Sequence, residues 1–296
     1  MTILVLAPPD DETARRFGRF AEGRGHRVVA PTGFGEVAVT VTADRNAAPR
    51  VELSTAGERI RAVFHRGLPP PEAPDGPSAA AEAAFAYAES IAVWWSVLAL
   101  WPGPVVNRPS PAGFVPHLDP LTAAGLPGMA MPPSSITSAA PGPVPPLMPR
   151  AAPGERINVN RVRDGAFLGH GTAAKHGGEG GGEGEGKDEE EGDETEVLRF
   201  TCFDPERTRH VLLAGDEEFD LSDPTGAFAP GHRARLAPLL TRLRALGATF
   251  AVVVVQPEGE RTRLLDISCH PVHRQFAHLE HRVFEAVLNA LPAGPS

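Results

Sequence analysis

The first thirty residues set the strongest constraint on the fold. Residues 3–6 are an unbroken β-type run, a Pro-Asp turn follows, and residues 12–23 carry Ala14, Phe17 and Phe20 at helical spacing. Gly25 ends the helix and β character resumes over 26–30. A strand, helix, strand succession of this length is the expected opening of a parallel α/β sheet.

Further strands are expected at 37–41 and 61–64, with a Pro-rich loop over 68–77. Residues 79–100 place Phe85, Ala88, Ile91, Trp95 and Leu98 at three- and four-residue steps, which predicts a long helix stopped by Pro102 and Gly103. Val105 and Val106 form a short strand into Asn107-Arg108-Pro109, where a first domain, 1–107, is expected to end. From 109 to 153 proline and glycine are dense and only 121–124 hints at a helix. A hairpin is expected at 156–162 and 166–168, then strands at 197–203 and 210–214 and a helix at 233–246 ended by Gly247. A strand at 250–255, a turn at 257–260, a returning strand at 262–268 and a closing helix striped by Phe276, Leu279, Val283, Val287 and Leu291 complete a second domain, 108–292.

That second domain is interrupted at 173–196. Residues 176–196 hold ten Asp or Glu against one Lys and no apolar side chain, so this tract is expected to be a disordered loop. It accounts for the formal charge of -9 and leaves the remainder close to neutral, without an overall basic footprint for nucleic acid. The N-terminal apolar run lacks a basic region before it and reads as a strand rather than a signal peptide. No apolar stretch is expected to reach bilayer length, and a cytoplasmic location follows as the default. Cys202 and Cys269 lack the spacing of a zinc site or a disulfide framework. Among 28 basic side chains only Lys175 and Lys187 are lysines, and both flank or lie in the acidic tract.

Several motifs in order resemble the ATP-grasp superfamily, in particular the ribosomal-peptide maturases of the microviridin and graspetide type. They are AVFHRG at 62–67, AESIAVWWSVLAL and PVVNRPS within 88–110, GLPGMAMPPSSITS at 125–138, ALGATFAVVVV at 245–255 and LLDISCHP at 264–271. The resemblance implies a mixed α/β and α+β chain: an ATP-grasp fold preceded by a Rossmann-like pre-ATP-grasp domain. It implies an ATP- and Mg2+-dependent carboxylate-amine or ester-forming ligase, acting on a peptide or small-molecule carboxylate through an acyl phosphate. Substrate contacts are implied at Arg66, Asn107 and Arg108. A second copy of the chain and a partner enzyme are the protein partners considered.

The chain departs from that pattern where ATP is handled. The family's two phosphate lysines have no counterpart outside the acidic tract, leaving Arg150, Arg156, Arg161 and Arg163 as candidate phosphate ligands. At the family's first metal position the chain offers Val252, Val253 or Val254. Asp266 keeps the second carboxylate, and Ser268 replaces an Asn. Asp266, Ser268 and His270 alternate and are the candidate cation ligands, a set with one hard anionic oxygen donor. The alternative implied function is therefore a catalytically inactive relative that serves as a peptide- or partner-binding scaffold.

Other features have plainer readings. His270, His273, His278 and His281 could ligate zinc but lack a partner at recognised spacing. Trp94, Trp95 and Trp101 read as core rather than as a stacking platform. Glu89 is a candidate to orient Arg66, and Cys269 reads as a core residue because Cys269 and His270, adjacent on a strand, point to opposite faces.

Overall fold

The computed structural model describes residues 1–44, 47–69, 79–111, 113–116, 118, 120–130, 134–139, 155–163, 166–173 and 196–291. Two compact units are present. The first comprises Met1–Asp119, His210–Val253 and Ile267–Ser296, the second Pro120–Arg209 and Val254–Asp266. Strands near the C-terminus therefore begin in one unit and finish in the other.

The first unit opens with β1 (Thr2–Leu6), α1 (Glu12–Gly23) and β2 (Arg27–Val29). An antiparallel sheet of β3 (Ala38–Asp44), β4 (Ala47–Thr55) and β5 (Glu58–Arg59) follows, in the order β3-β4-β5. Then come β6 (Ala62–His65), α2 (Ala79–Leu100) and β7 (Val105–Val106). β2-β1-β6-β7 make one sheet in which every pairing is parallel. Burial explains its composition: Ile3, Leu4, Val5 and Leu6, and Ala62, Val63 and Phe64, are all hidden, and unbroken apolar runs are what a sheet covered on both faces requires.

α1 starts at an Asp11 N-cap whose Oδ1 accepts the Ala14 N–H at 2.8 Å, and it buries Ala14, Phe17, Gly18 and Ala21. Phe17 meets Phe64 at 4.4 Å between ring centroids, and Phe64, Phe250, Phe276 and Phe284 continue the aromatic chain. A second cluster joins Val51, Leu53, Ile60, Trp94, Val97, Leu98 and Trp101, packing α2 on the β3-β4-β5 sheet; Trp94 and Trp101 are thus core residues.

The second unit contains α3 (Pro120–Ala124), β8 (Met129–Ala130), β9 (Ser134–Ala139), β10 (Arg156–Arg163), β11 (Ala166–Ala173) and β12 (Glu196–Phe203). β11-β10-β12-β9 form an antiparallel sheet. The chain then returns to the first unit with β13 (Arg209–Ala214), β14 (Glu217–Asp220) and α4 (His232–Ala245). β15 (Phe250–Glu258) and β16 (Arg261–Ser268) follow, and α5 (Glu280–Asn289) closes the described chain. β14-β13-β15-β16 run in that order, and β8 joins β16 in parallel through Thr262↔Met129.

Three expectations change. β15 runs through Pro257 to Glu258, so the turn shrinks to Gly259 and Glu260, with Gly259 at φ 58°. The closing helix starts only at Glu280, behind 3-10 turns at His273–Gln275 and Ala277–Leu279. In α2, Ala81–Leu100 is 20 residues long with a mean hydropathy of 1.4, which does have the length and composition of a membrane span. The expected disordered loop lies almost wholly at 174–195, outside the described residues.

Candidate functional site

The C-terminal ends of β1, β6 and β7 lie side by side in the first unit, the edge at which open α/β sheets present their ligand-binding groups. Chain geometry brings Asp11, His65, Arg66 and Asn107 there. Arg66 is the centre. Its backbone N–H donates to the Leu6 carbonyl at 2.7 Å, extending the β1–β6 pairing by one residue. Its Nε donates to Asp11 Oδ2 at 2.8 Å, and Nη2 to the Pro271 carbonyl at 3.0 Å. The guanidinium carbon lies 5.6 Å from the centre of the Phe250 ring.

Asp11 thus divides its two oxygens between the N-terminus of α1 and a buried guanidinium. Arg66 is 2% exposed and Asp11 12%. Burial lowers the Arg66 pKa, and the Asp11 carboxylate opposes that shift. Thr13 Oγ1 also donates to the Pro271 carbonyl, at 3.1 Å, so this one carbonyl receives two donors. Arg66 Nη1 is buried without a hydrogen-bond partner among the described residues. The orienting carboxylate is therefore Asp11 and not Glu89, which is exposed on α2.

His65 precedes Arg66 on β6 and is 1% exposed. Its Nδ1 bonds to the Asn107 carbonyl at 2.9 Å, its ring lies 4.5 Å from that of Phe114, and its Nε2 is buried without a partner among the described residues. Desolvation drives its pKa down to about 4, so His65 is neutral at physiological pH. His270 reaches solvent beside Arg66. Its pKa is also lowered, by desolvation and then by the Arg66 charge, with Asp11 acting the other way.

Asn107 and Arg108 are wholly engaged within the first unit. Asn107 has φ 58°, in the left-handed region that Asn tolerates. Its Nδ2 donates to the Phe250 and Cys269 carbonyls at 2.9 and 3.1 Å, while Oδ1 accepts from the Thr249 and Phe250 N–H groups at 3.1 and 2.8 Å. Every donor and one acceptor of that amide go to backbone. Arg108 donates to the Leu98 and Trp101 carbonyls at 2.7 and 2.8 Å and to that of Gly103, capping the end of α2 with a cation where the helix dipole favours one.

Of the candidate cation ligands, Asp266 and Ser268 lie on β16 and are half-buried. The strand ends at Ser268, so His270 does not continue its alternation: the His270 N–H turns back to Ser268 Oγ at 3.2 Å, and Pro271 has no N–H with which to extend a ladder. Among the described residues no three His, Cys, Asp or Glu side chains come together as a metal site. One carboxylate, one hydroxyl already accepting a hydrogen bond and one imidazole do not fit the all-oxygen, carboxylate-rich demand of Mg2+. Of the other histidines, His273 Nε2 meets Glu280 Oε2 at 2.7 Å, and His281 stacks edge-on against Phe20 with Arg24 at 3.2 Å.

Arg156 opens β10 and is exposed; Arg161 and Arg163 belong to the same strand, and Arg150 lies outside the described residues. Cys269 is buried, its pKa raised to about 12 by desolvation, and its Sγ lies 3.0 Å from the Pro116 carbonyl, as a core thiol should. Asp11 and Thr13 are the residues of this cluster that no motif singles out, while His65 stands in AVFHRG without a role of its own. Asp11 carried a legible signal, an N-cap residue immediately before a helical pattern.

No protein-family model matches the sequence, and no curated protein is similar to it. Solved structures are similar over the whole chain. Macrocyclase MdnB from Microcystis aeruginosa MRC matches with a TM-score of 0.59 at 16% identity, covering 99% of both chains. ATP-grasp ligase PsnB, solved with a minimal precursor, Mg and ADP, matches with a TM-score of 0.56 at 15% identity and 98% coverage of both. The Chryseobacterium gregarium RiPP-associated ATP-grasp ligase, solved with ADP and a leader and core peptide, gives 0.53 at 10% identity, covering 98% of this chain and 96% of that one. The chain has the ATP-grasp fold. The Arg66 cluster belongs to the parallel sheet of the first unit, Arg156, Arg161 and Arg163 lie on β10, and Asp266 and Ser268 lie on β16.

Proposed function

We propose that this chain is a peptide-binding ATP-grasp protein, a relative of peptide-modifying ligases in which the apparatus for phosphoryl transfer is reduced. Residues 1–107 are assigned on this reading as its pre-ATP-grasp domain and 108–292 as the ATP-grasp domain. The observation that carries the proposal is a contrast within one molecule: the fold matches over 99% of the chain, yet the donors on and beside β16 do not suit Mg2+. The sequence agrees, since its two lysines are Lys175 and Lys187, in or beside a tract whose carboxylates repel a triphosphate. Two of the structures similar to it are solved with a minimal precursor or with a leader and core peptide, which supports a peptide as the ligand here. His270, exposed beside the buried Arg66, is the group assigned to a peptide carboxylate; Arg66, Asn107 and Arg108 hold the frame behind it.

A second reading keeps the chain as an active carboxylate-amine or ester-forming ligase. It is favoured by Asp266, which retains a carboxylate where the resemblance implies the family's metal strand, with Ser268 and His270 following in sequence and Arg156, Arg161 and Arg163 as candidates for the phosphates. Calorimetry or thermal shift with millimolar ATP and Mg2+ separates the two. The scaffold reading expects no nucleotide effect in either wild type or Asp266→Ala. ADP release on adding a candidate peptide, lost in Asp266→Ala, would overturn it in favour of the ligase.

A further inference from the structure

His270 is exposed, yet the backbone that carries it is held on both sides. Before it, the Cys269 carbonyl accepts from Asn107 Nδ2 at 3.1 Å, and the His270 N–H donates to Ser268 Oγ at 3.2 Å. After it stands Pro271, whose ring fixes its own φ and confines His270 to extended backbone. The Pro271 carbonyl then takes two donors, Arg66 Nη2 from just beyond β6 at 3.0 Å and Thr13 Oγ1 from α1 at 3.1 Å. Further along, His273 Nε2 meets Glu280 Oε2 at 2.7 Å, and Arg16, about one turn beyond Thr13 on α1, reaches that same oxygen at 3.4 Å. Solvent-exposed side chains on connecting segments are ordinarily the mobile ones. This one stands on a frame supplied by α1, β6 and the residue after β7.

Thr13 is the part of that frame that stability alone does not call for. It is 2% exposed and lies with Ala14, Phe17, Gly18 and Ala21 on the buried face of α1, where a valine of nearly the same shape would fill the space. The Pro271 carbonyl is already satisfied by Arg66. In the first turn of α1 no helical carbonyl lies behind Thr13 to receive its hydroxyl, so the hydroxyl is available for a partner outside the helix. What it adds is direction: two donors from separate elements occupy both lone pairs of the carbonyl and fix its orientation, where one donor lets it swing. We infer that Thr13 is a positioning residue: with Arg66 its hydroxyl fixes the Pro271 carbonyl and so holds the His270 imidazole in place for a ligand carboxylate. The inference rests on the assignment of His270 to a peptide carboxylate. A side chain fixed before the ligand arrives loses less freedom on binding, and that is where the hydroxyl has its effect. Arg66 is a poorer probe of the same device, because removing it also strands Asp11.

The test is proton NMR of the imidazole Cε1–H resonances of the full chain, those of His270 and His278 each identified by loss in His270→Gln or His278→Gln. The probe is the peptide acetyl-Gly-Glu-Gly-amide, with acetyl-Gly-Gln-Gly-amide as control. In wild type the Glu peptide is expected to move the His270 resonance to saturation and the Gln peptide to leave it in place. Thr13→Ser keeps the hydroxyl and is expected to match wild type. Thr13→Val and Thr13→Ala both lack it, so a folding failure in one leaves the other to decide. Each is expected to shift the free His270 resonance and to leave that of the exposed His278 unmoved. Each is also expected to bind the Glu peptide about five-fold more weakly, the worth of one neutral hydrogen bond. A folded Thr13→Val or Thr13→Ala overturns the inference if its free His270 resonance matches wild type, or if its affinity for the Glu peptide does. An equal loss in Thr13→Ser also overturns it, since the methyl and not the hydroxyl would then matter. Should the Glu peptide leave wild-type His270 unmoved while Thr13→Val, and not Thr13→Ser, shifts the free resonance, the carboxylate assignment falls and the positioning of His270 by Thr13 stands.

Discussion

Replacing Asn107 tests whether the junction after β7 is a brace or a ligand contact. The side chain makes four hydrogen bonds, all to backbone groups of residues 249, 250 and 269. At about 1 kcal/mol net for each bond, with incomplete additivity, Asn107→Ala removes roughly 2–4 kcal/mol. It also puts a β-carbon with no polar compensation at φ 58°, which adds about 1 kcal/mol. Asn107→Gly loses the bonds but not the backbone fit and is expected to be about 1 kcal/mol milder. The decisive variant is Asn107→Asp, which is nearly isosteric. It keeps an acceptor for the Thr249 and Phe250 N–H groups but turns the donor into an anionic oxygen facing the Phe250 and Cys269 carbonyls. At pH 7 it is expected to destabilise at least as much as Asn107→Ala. Repulsion by two carbonyls raises the folded-state pKa of the introduced carboxyl above its unfolded value. The deficit relative to Asn107→Ala should therefore shrink as pH falls toward 4, where the carboxyl is protonated and can again donate. Urea denaturation followed by circular dichroism reads all three, with a wild-type-to-Ala midpoint shift of about 1 M or more expected at a typical m-value. If Asn107→Ala and Asn107→Asp both stay within 1 kcal/mol of wild type while peptide binding is lost, the brace is refuted.

His65 makes stability pH-dependent. Its folded-state pKa of about 4 lies below the unfolded 6.5, so its contribution is complete above pH 6.5 and is lost as pH falls through 4, about 3 kcal/mol in all; His65→Gln should flatten that part of the urea-stability profile between pH 7 and 4.5. Asp11→Ser keeps an N-cap oxygen for α1 but strands the buried Arg66, and is expected to cost about 3–5 kcal/mol. Adding Arg66→Met should recover part of this in a double-mutant cycle, whereas strictly additive losses would show that the pair is not coupled. Gly247 has φ 88°, and a β-carbon there would stand 2.3 Å from the Arg108 carbonyl, so Gly247→Ala is expected to lower stability by roughly 2–4 kcal/mol; an unchanged thermal midpoint would show that the Gly247–Arg108 approach is not needed.

The elements were legible where pattern and punctuation coincide. α1 and α2 run over the residues their spacing indicates, because Gly25 marks the stop of one and Pro102 with Gly103 that of the other. β4 was missed although its period of two was present: Val51, Leu53 and Thr55 are buried, while Arg50 and Glu52 are exposed. Pro49 masked it, as proline demotes a strand pattern. β9, at 134–139, was hidden among prolines and glycines whose local signal is loop, and its pairing with β12 supplies what local propensity did not. The Arg66 partner was misread for a topological reason. Asp11 is 55 positions away, and the two meet because β1 and β6 are neighbours although a whole antiparallel sheet intervenes in sequence.

On the scaffold reading, the cluster also explains why a frame and its catalytic equipment can part company. Asp11, Arg66 and Asn107 hold backbone groups or one another in a dry setting, and stranding any of their partners costs several kcal/mol, a large fraction of a domain's whole stability. A group whose only partner is a nucleotide phosphate or a cation carries no such penalty in the unliganded protein; its replacement by Val or Ser is thermodynamically silent until the ligand is offered. Stability and nucleotide response are therefore independent readouts here. Variants of Asp11, Arg66 and Asn107 should move the first, and on the scaffold reading no side chain on β10 or β16 should move the second.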